Sequence, residues 1–213
     1  MEEKETSKTI TIHSVEKYSV DVLIDKLRDI TMLKDATTKP YKDSFISLEK
    51  ISIEGISPAQ RYVLSYQLLF LRELKWELEK FDIDMFDLNG FVRMNIEGES
   101  EPIDLLPPVV EESIERTGHV VNLINDGMHR LYIAQLEWLI PKVIFIRGIP
   151  KSLPYYSFPI PRQNWDTVRL VEDIPESFIK KWHRIKDNKI LYRNFESTFK
   201  NVGQPRGNFA LKN

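Results

Sequence analysis

The 213-residue chain contains no cysteine. That excludes disulfides, thiolate zinc sites and cysteine nucleophiles, and it leads us to expect a cytoplasmic protein. No run of about 18 apolar residues occurs, so no membrane-spanning helix is expected. The opening "MEEKETSKTI" is acidic and polar and lacks the apolar stretch of a signal peptide. There is no Walker loop, dinucleotide fingerprint, nucleophile elbow or zinc motif, and His13, His119 and His183 show no metal-ligand spacing. Internal repeats and low-complexity tracts are also missing.

What remains is an ordinary globular composition. Hydrophobic residues make up 42% and charged residues 29%, enough for one or two domains with a substantial core. The net charge of -2 is unevenly spread. From Lys180 to Asn213 there are nine Lys or Arg against Asp187 and Glu196, so the rest of the chain is acidic. A basic end on an acidic body suggests a polyanionic partner, DNA or RNA, with Lys180, Lys181, Arg184 and Arg193 as candidate contacts. The plainer reading is a solvated amphipathic helix, with Phe178, Trp182 and Ile185 turned inward.

Local patterns predict the elements. "TITIH" at 9–13 alternates as a strand does, and Ser19 is placed to cap a helix through "VDVLIDKLRDITMLKD". "FISLEKISIEG" reads as a strand or edge hairpin. Ser57-Pro58 carries the capping hydroxyl and first-turn proline of a helix start, predicting about 22 residues of helix to Lys80. "FVRMNIEG" is a strand. "PPVVE" is a short extended piece, "ESIERTGH" a polar connection and "VVNLIN" a strand; "DG" is a turn, "MHRLYIAQLEWL" a helix and "PKVIFIRG" a strand. "IPKSLPYYSFPIPRQNW" is too proline-rich for a central element and is expected to wrap over the surface. Its Tyr155, Tyr156, Phe158, Arg162 and Trp165 can stack on a nucleobase, but packing against the core is the commoner use of such rings. A helix is expected behind Pro175, and a short helix or strand at "ILYRNFESTF".

The cluster Asp126-Gly127-Met128-His129-Arg130 carries the chemistry. Gly127 permits a tight turn, and the helix after it presents unpaired amide N–H groups at its positive end, a ready anion site. Arg130 can add a phosphate fork and His129 a titratable donor. Asp126 can hold magnesium, orient His129 or Arg130, or take a proton from a substrate hydroxyl. The same residues also suit a purely structural helix start, with Asp126 as cap and Gly127 as turn residue.

"VVNLINDGMHRLYIAQLEWLIPKVIFIRG", preceded by "PPVV" at 107–110, resembles the signature of the ParB/sulfiredoxin-like superfamily. The resemblance spans about 107–148 and implies a phosphate-binding turn at Gly127, Met128, His129 and Arg130. Sulfiredoxin activity needs a cysteine where Met128 stands and is excluded. The chromosome-partitioning branch matches at Gly127 and Arg130 but departs at Met128, His129 and Tyr132. The Asp-Gly-x-His-Arg pattern is closest to the free-serine kinase branch and is similar to turns of proteins linked to DNA modification and phage defence. The kinase branch implies a glutamate base, for which Glu111 and Glu112 are the nearest candidates, with Glu97, Glu99 and Glu101 also upstream. The implied fold is α+β: a ParB/sulfiredoxin-like mixed sheet with flanking helices, plus a helix-rich N-terminal region. The implied division is 1–100, 101–178 and a basic extension over 179–213. Two functions are open. One is a nucleotide-dependent phosphotransferase or nucleotide hydrolase using Asp126, His129 and Glu111, with a nucleotide and magnesium held at Asp126. The other is a non-enzymatic module that binds a nucleotide, a phosphorylated ligand or a nucleic acid.

Overall fold

The computed structural model describes residues 10–114, 118–155, 162–174 and 188–202. The helix expected behind Pro175 lies outside them. The organising element is a four-stranded mixed sheet. Its strands are β3 (Phe45–Lys50), β7 (Val109–Ile114), β8 (Val120–Asp126) and β9 (Lys142–Arg147), in the order β3-β9-β7-β8. β7 runs parallel to β9 and antiparallel to β8, and β3 runs antiparallel to β9. This is the α+β class expected from the sequence.

The run Val143-Ile144-Phe145-Ile146 in β9 has no polar face because neither face meets water. Val143 and Phe145 enter one apolar cluster, and Ile144 and Ile146 enter the other. The same division holds in β7, where Val110 joins the first cluster and Val109 the second. Period-two alternation therefore sorts side chains between two cores instead of between core and solvent.

The first core holds two helices, α2 (Ser65–Glu79) and α3 (Met128–Leu136), through Leu68, Leu71, Leu74 and Leu131. The second holds α1 (Val20–Arg28), through Leu23 and Leu27, together with Phe195, Phe199 and Val202 from the C-terminal stretch. A second sheet pairs β1 (Ile12–Tyr18), β5 (Phe91–Ile96) and β6 (Ile103–Leu105) as antiparallel neighbours. Two small strand pairs are also present among the described residues. β4 (Tyr62–Leu64) runs parallel to β10 (Arg169–Val171), and β2 (Thr31–Met32) runs antiparallel to β11 (Arg193–Asn194).

Several boundaries differ from the local reading. Ser57 does not start a helix. Its backbone is spent on the edge of β8, donating N–H to the Asn122 carbonyl at 2.7 Å and accepting from Ile124 N–H at 3.1 Å. Tyr62, Val63 and Leu64 are then drawn into pairing with β10, and α2 begins only at Ser65. α1 stops at Arg28 because Thr31 and Met32 pair with Asn194 and Arg193. β7 extends through Glu111, Glu112 and Ser113, which the local pattern placed partly in a connection. The sheets also cross the expected division at residue 100: β3 pairs with β9, and β5 pairs with β6.

Ser19 caps α1 as expected, its hydroxyl accepting from the Val22 N–H at 3.4 Å. Ser19→Ala is expected to cost about 1 kcal/mol of stability, measured by urea denaturation. An unchanged midpoint would show that this long hydrogen bond contributes nothing.

Candidate functional site: the turn from β8 into α3

β8 ends at Asp126, which lies opposite Val109 of β7 in the sheet register. Gly127 follows with φ 86° and ψ 20°, the left-handed conformation, and is the N-cap of α3. Two independent constraints require glycine here. The φ is costly for any residue with a Cβ. A Cβ would also sit 2.7 Å from Pro108 Cβ and 3.0 Å from Pro108 Cα. The turn is therefore pressed directly onto the "PPVV" segment.

Gly127, as the N-cap of α3, has no side chain to accept from the first amides of the helix. Its leading amides point out of the helix end, and the helix dipole adds positive potential there. Each neighbouring side chain has a definite placement. Met128 is buried in the first core, so it offers the turn only its backbone. His129 turns toward α2, where its Nε2 accepts the Leu64 N–H at 3.0 Å. An Nε2 that accepts carries no proton, so in this geometry that nitrogen is not a donor to phosphate. Arg130 is buried. Its Nη1 donates to the Leu106 carbonyl, and its Nη2 donates to Asp126 Oδ2 at 3.1 Å. Of the three roles open to Asp126, the geometry supplies one: its carboxylate holds Arg130, and Arg130 in turn ties the turn to Leu106 in the connection that leads into β7.

Glu111 lies elsewhere. It is fully buried on the second-core side of β7. Tyr41 Oη and Asn125 Nδ2 both donate to its Oε1. Arg193 forks onto it, with Nε to Oε1 at 3.1 Å and Nη2 to Oε2 at 2.8 Å. Arg193 also donates to the carbonyls of Leu191 and Leu153, at 3.0 and 2.8 Å. Burial opposes the charge on Arg193, but the Glu111 carboxylate and Tyr41 outweigh it, and the guanidinium pKa is raised. Burial, followed by the Glu111 charge, pushes the Tyr41 phenol well above its ordinary value. Asn125 connects the two groups of residues. Its side chain reaches Glu111 and Tyr41, its carbonyl accepts from Tyr155 Oη at 3.0 Å, and the next residue is Asp126.

The structure thus gathers Asp126, Gly127, Met128, His129 and Arg130 on one turn and leaves Glu111 on a separate buried cluster. Arg193, a candidate nucleic-acid contact in the sequence, is instead an internal side chain. Lys180, Lys181 and Arg184 lie outside the described residues, as do Tyr156 and Phe158. Tyr155 and Trp165 are packed, the latter donating Nε1–H to the Ile56 carbonyl at 3.0 Å. Among the described residues no group of three or more His, Asp or Glu is arranged to hold a metal ion. A cleft of about 190 Å³ opens beside Tyr18, Asp84, Asn89 and Gly90, and no residue of the 126–130 turn lines it. Sequence reasoning missed Tyr41, Asn125 and the internal role of Arg193. Nothing local marks Tyr41 or Arg193, whereas Asn125 adjoins the motif.

A mixed sheet whose edge strand feeds a glycine turn and a short helix, pressed on a proline-led strand, defines a ParB-like domain. The comparison with protein families agrees. The ParB CE domain family matches residues 22–169, more than two thirds of the chain, and the chain belongs to that family. The match reaches well upstream of the 107–148 segment and takes in most of α1 and all of β3 and α2. No curated protein and no solved structure matches the chain. Among the described residues no helix is long and apolar enough to cross a membrane.

Proposed function

We propose that this ParB-family domain binds the phosphate of a nucleotide at the N-terminus of α3. The observation that carries the reading is the left-handed Gly127 cap, a residue with no side chain of its own to accept from the first amides of the helix. In this reading the phosphate is held by backbone amides around Met128 and His129. Arg130 contributes by fixing the turn and by adding positive potential from just beneath it.

The same geometry favours binding over catalysis. The three candidate catalytic side chains are already engaged: Asp126 with Arg130, His129 with the Leu64 amide and Glu111 with Arg193. A phosphotransferase or hydrolase would have to release at least one of them. Magnesium, if required, would arrive with the nucleotide. In this reading it would meet Asp126, whose side chain keeps 24% of its exposure while holding Arg130.

The test is a thermal-shift screen of nucleoside triphosphates and inorganic phosphate, with and without magnesium. At about 100 times Kd a ligand stabilises by about 2.7 kcal/mol, so a shift of several degrees is expected for at least one triphosphate. Phosphate release followed in the same samples should stay at background. No shift with any nucleotide overturns the proposal, and steady release with a positive shift overturns the non-catalytic part.

A further inference from the structure

Asn125 is the extra residue of a β-bulge. Val110 of β7 lies opposite Ile124 of β8, but Val109 lies opposite Asp126, so the register skips Asn125. A bulged residue has no partner of its own in the ladder, and bulges re-aim the chain beside functional sites. Side-chain bonds therefore fix where Asn125 stands, and Asp126 and Gly127 follow directly from it. Its Nδ2 donates to Glu111 Oε1 and to Tyr41 Oη, the latter at 3.0 Å, and its carbonyl accepts from Tyr155 Oη at 3.0 Å.

These bonds lead to the C-terminal stretch. Arg193 forks onto the same Glu111 carboxylate, and its Nη2 also donates to the Leu153 carbonyl, two residues before Tyr155. The stretch that follows Arg193 is anchored away from the turn. Ser197 Oγ accepts the Thr31 N–H at 3.2 Å, the Lys200 N–H donates to Asp104 Oδ2 at 2.9 Å, and Phe195 and Phe199 fill the second core. If Arg193 withdraws, Glu111 keeps a buried charge without its counter-ion, and such a carboxylate must recruit water or a proton. Either event alters the acceptor that holds Asn125, one residue before Asp126. From Arg193 to Asp126 the path is two hydrogen bonds, through Glu111 Oε1 and Asn125, and one peptide link.

We infer that Asn125 is a positioning residue that makes the phosphate affinity of the turn depend on the seating of the C-terminal stretch. The inference rests on the phosphate reading given above. Seating and ligand then favour each other by the same factor, so whatever unseats Arg193 releases the ligand. The test is titration calorimetry of the full chain with the nucleoside triphosphate that gives the largest thermal shift. Arg193→Lys keeps the charge, loses the fork and lies outside the turn. It is expected to weaken binding at least fivefold, and Asn125→Ala at least tenfold. The double variant should bind like Asn125→Ala to within twofold, because the link is already cut. Leu78→Ala, a core loss at the C-terminal end of α2, should change affinity less than twofold, which separates the effect from general destabilisation. All are compared at a temperature where circular dichroism shows them folded. If Arg193→Lys does not fold, Ser197→Ala takes its place and loosens the same stretch at Thr31. Wild-type binding that is indifferent to Asn125→Ala or to Arg193→Lys overturns the inference and leaves the phosphate reading standing. A double variant showing the product of the two losses overturns it as well, because the residues then act separately. So does a loss in Leu78→Ala as large as theirs. The absence of any triphosphate binding removes the phosphate reading itself, and the inference with it.

Discussion

Glu111→Ala is expected to lower the unfolding free energy by about 3–5 kcal/mol, among the largest effects of any single substitution in this chain. Glu111 and Arg193 have side-chain exposures of 1% and 0%. Removing the carboxylate leaves a guanidinium in a dry interior with the Leu191 and Leu153 carbonyls and the weakly accepting Met32 sulfur, and it takes an acceptor from both the Tyr41 hydroxyl and the Asn125 amide. Arg193→Ala should cost a similar amount for the converse reason. In a domain of this size the loss corresponds to a melting temperature lower by about 10 °C or more. The double variant Glu111→Leu with Arg193→Met should recover much of it, because replacing both charges removes the desolvation penalty along with the attraction. Single variants that each cost less than about 1 kcal/mol would show that the pair is solvated and the C-terminal segment is not seated as described. Arg193 as a nucleic-acid contact predicts the opposite result: weaker polyanion binding with stability unchanged.

The second large effect belongs to Gly127. Gly127→Ala must place a Cβ at φ 86° and within 2.7 Å of Pro108. The backbone term alone is about 1–2 kcal/mol, and the clash adds to it by pushing the turn off the proline. A total of about 2–4 kcal/mol is expected by urea denaturation, together with loss of the nucleotide-induced thermal shift. Gly148 supplies the control. Its φ is 75°, but a Cβ there meets nothing within 4 Å. Gly148→Ala should show the backbone term alone and keep the ligand response. Equal costs at the two positions would mean that the Pro108 contact yields at no cost. A retained ligand response in Gly127→Ala would move the phosphate site away from the turn.

The legible and illegible parts of the fold separate by the range of the interactions involved. The unit from β8 through α3 to β9 was readable because its signals are local. An apolar run, an Asp-Gly turn, a helical stretch and a proline-opened apolar run follow one another within 30 residues. The start of α2 was misread because Ser57-Pro58 carries the right capping chemistry, yet β8 claims the Ser57 backbone from across the fold. The end of α1 was missed for a similar reason, since β11 comes from the opposite end of the chain. Within the candidate site, the sequence identified the turn but not the direction of its side chains. Arg130 looked like a phosphate fork. The structure aims it at Leu106 and Asp126, residues that a linear reading cannot place around it.

The α+β class, the glycine turn at the end of β8 and the resemblance to ParB-like domains are all legible in the amino-acid order, since each rests on residue types a few positions apart. Tertiary structure alone decided which charges are buried. Glu111 and Arg193 stand 82 positions apart and meet only when the C-terminal segment closes the second core. Whether a charged side chain faces a ligand or a buried partner depends on long-range packing, and that packing converts a basic residue of the tail into part of the interior.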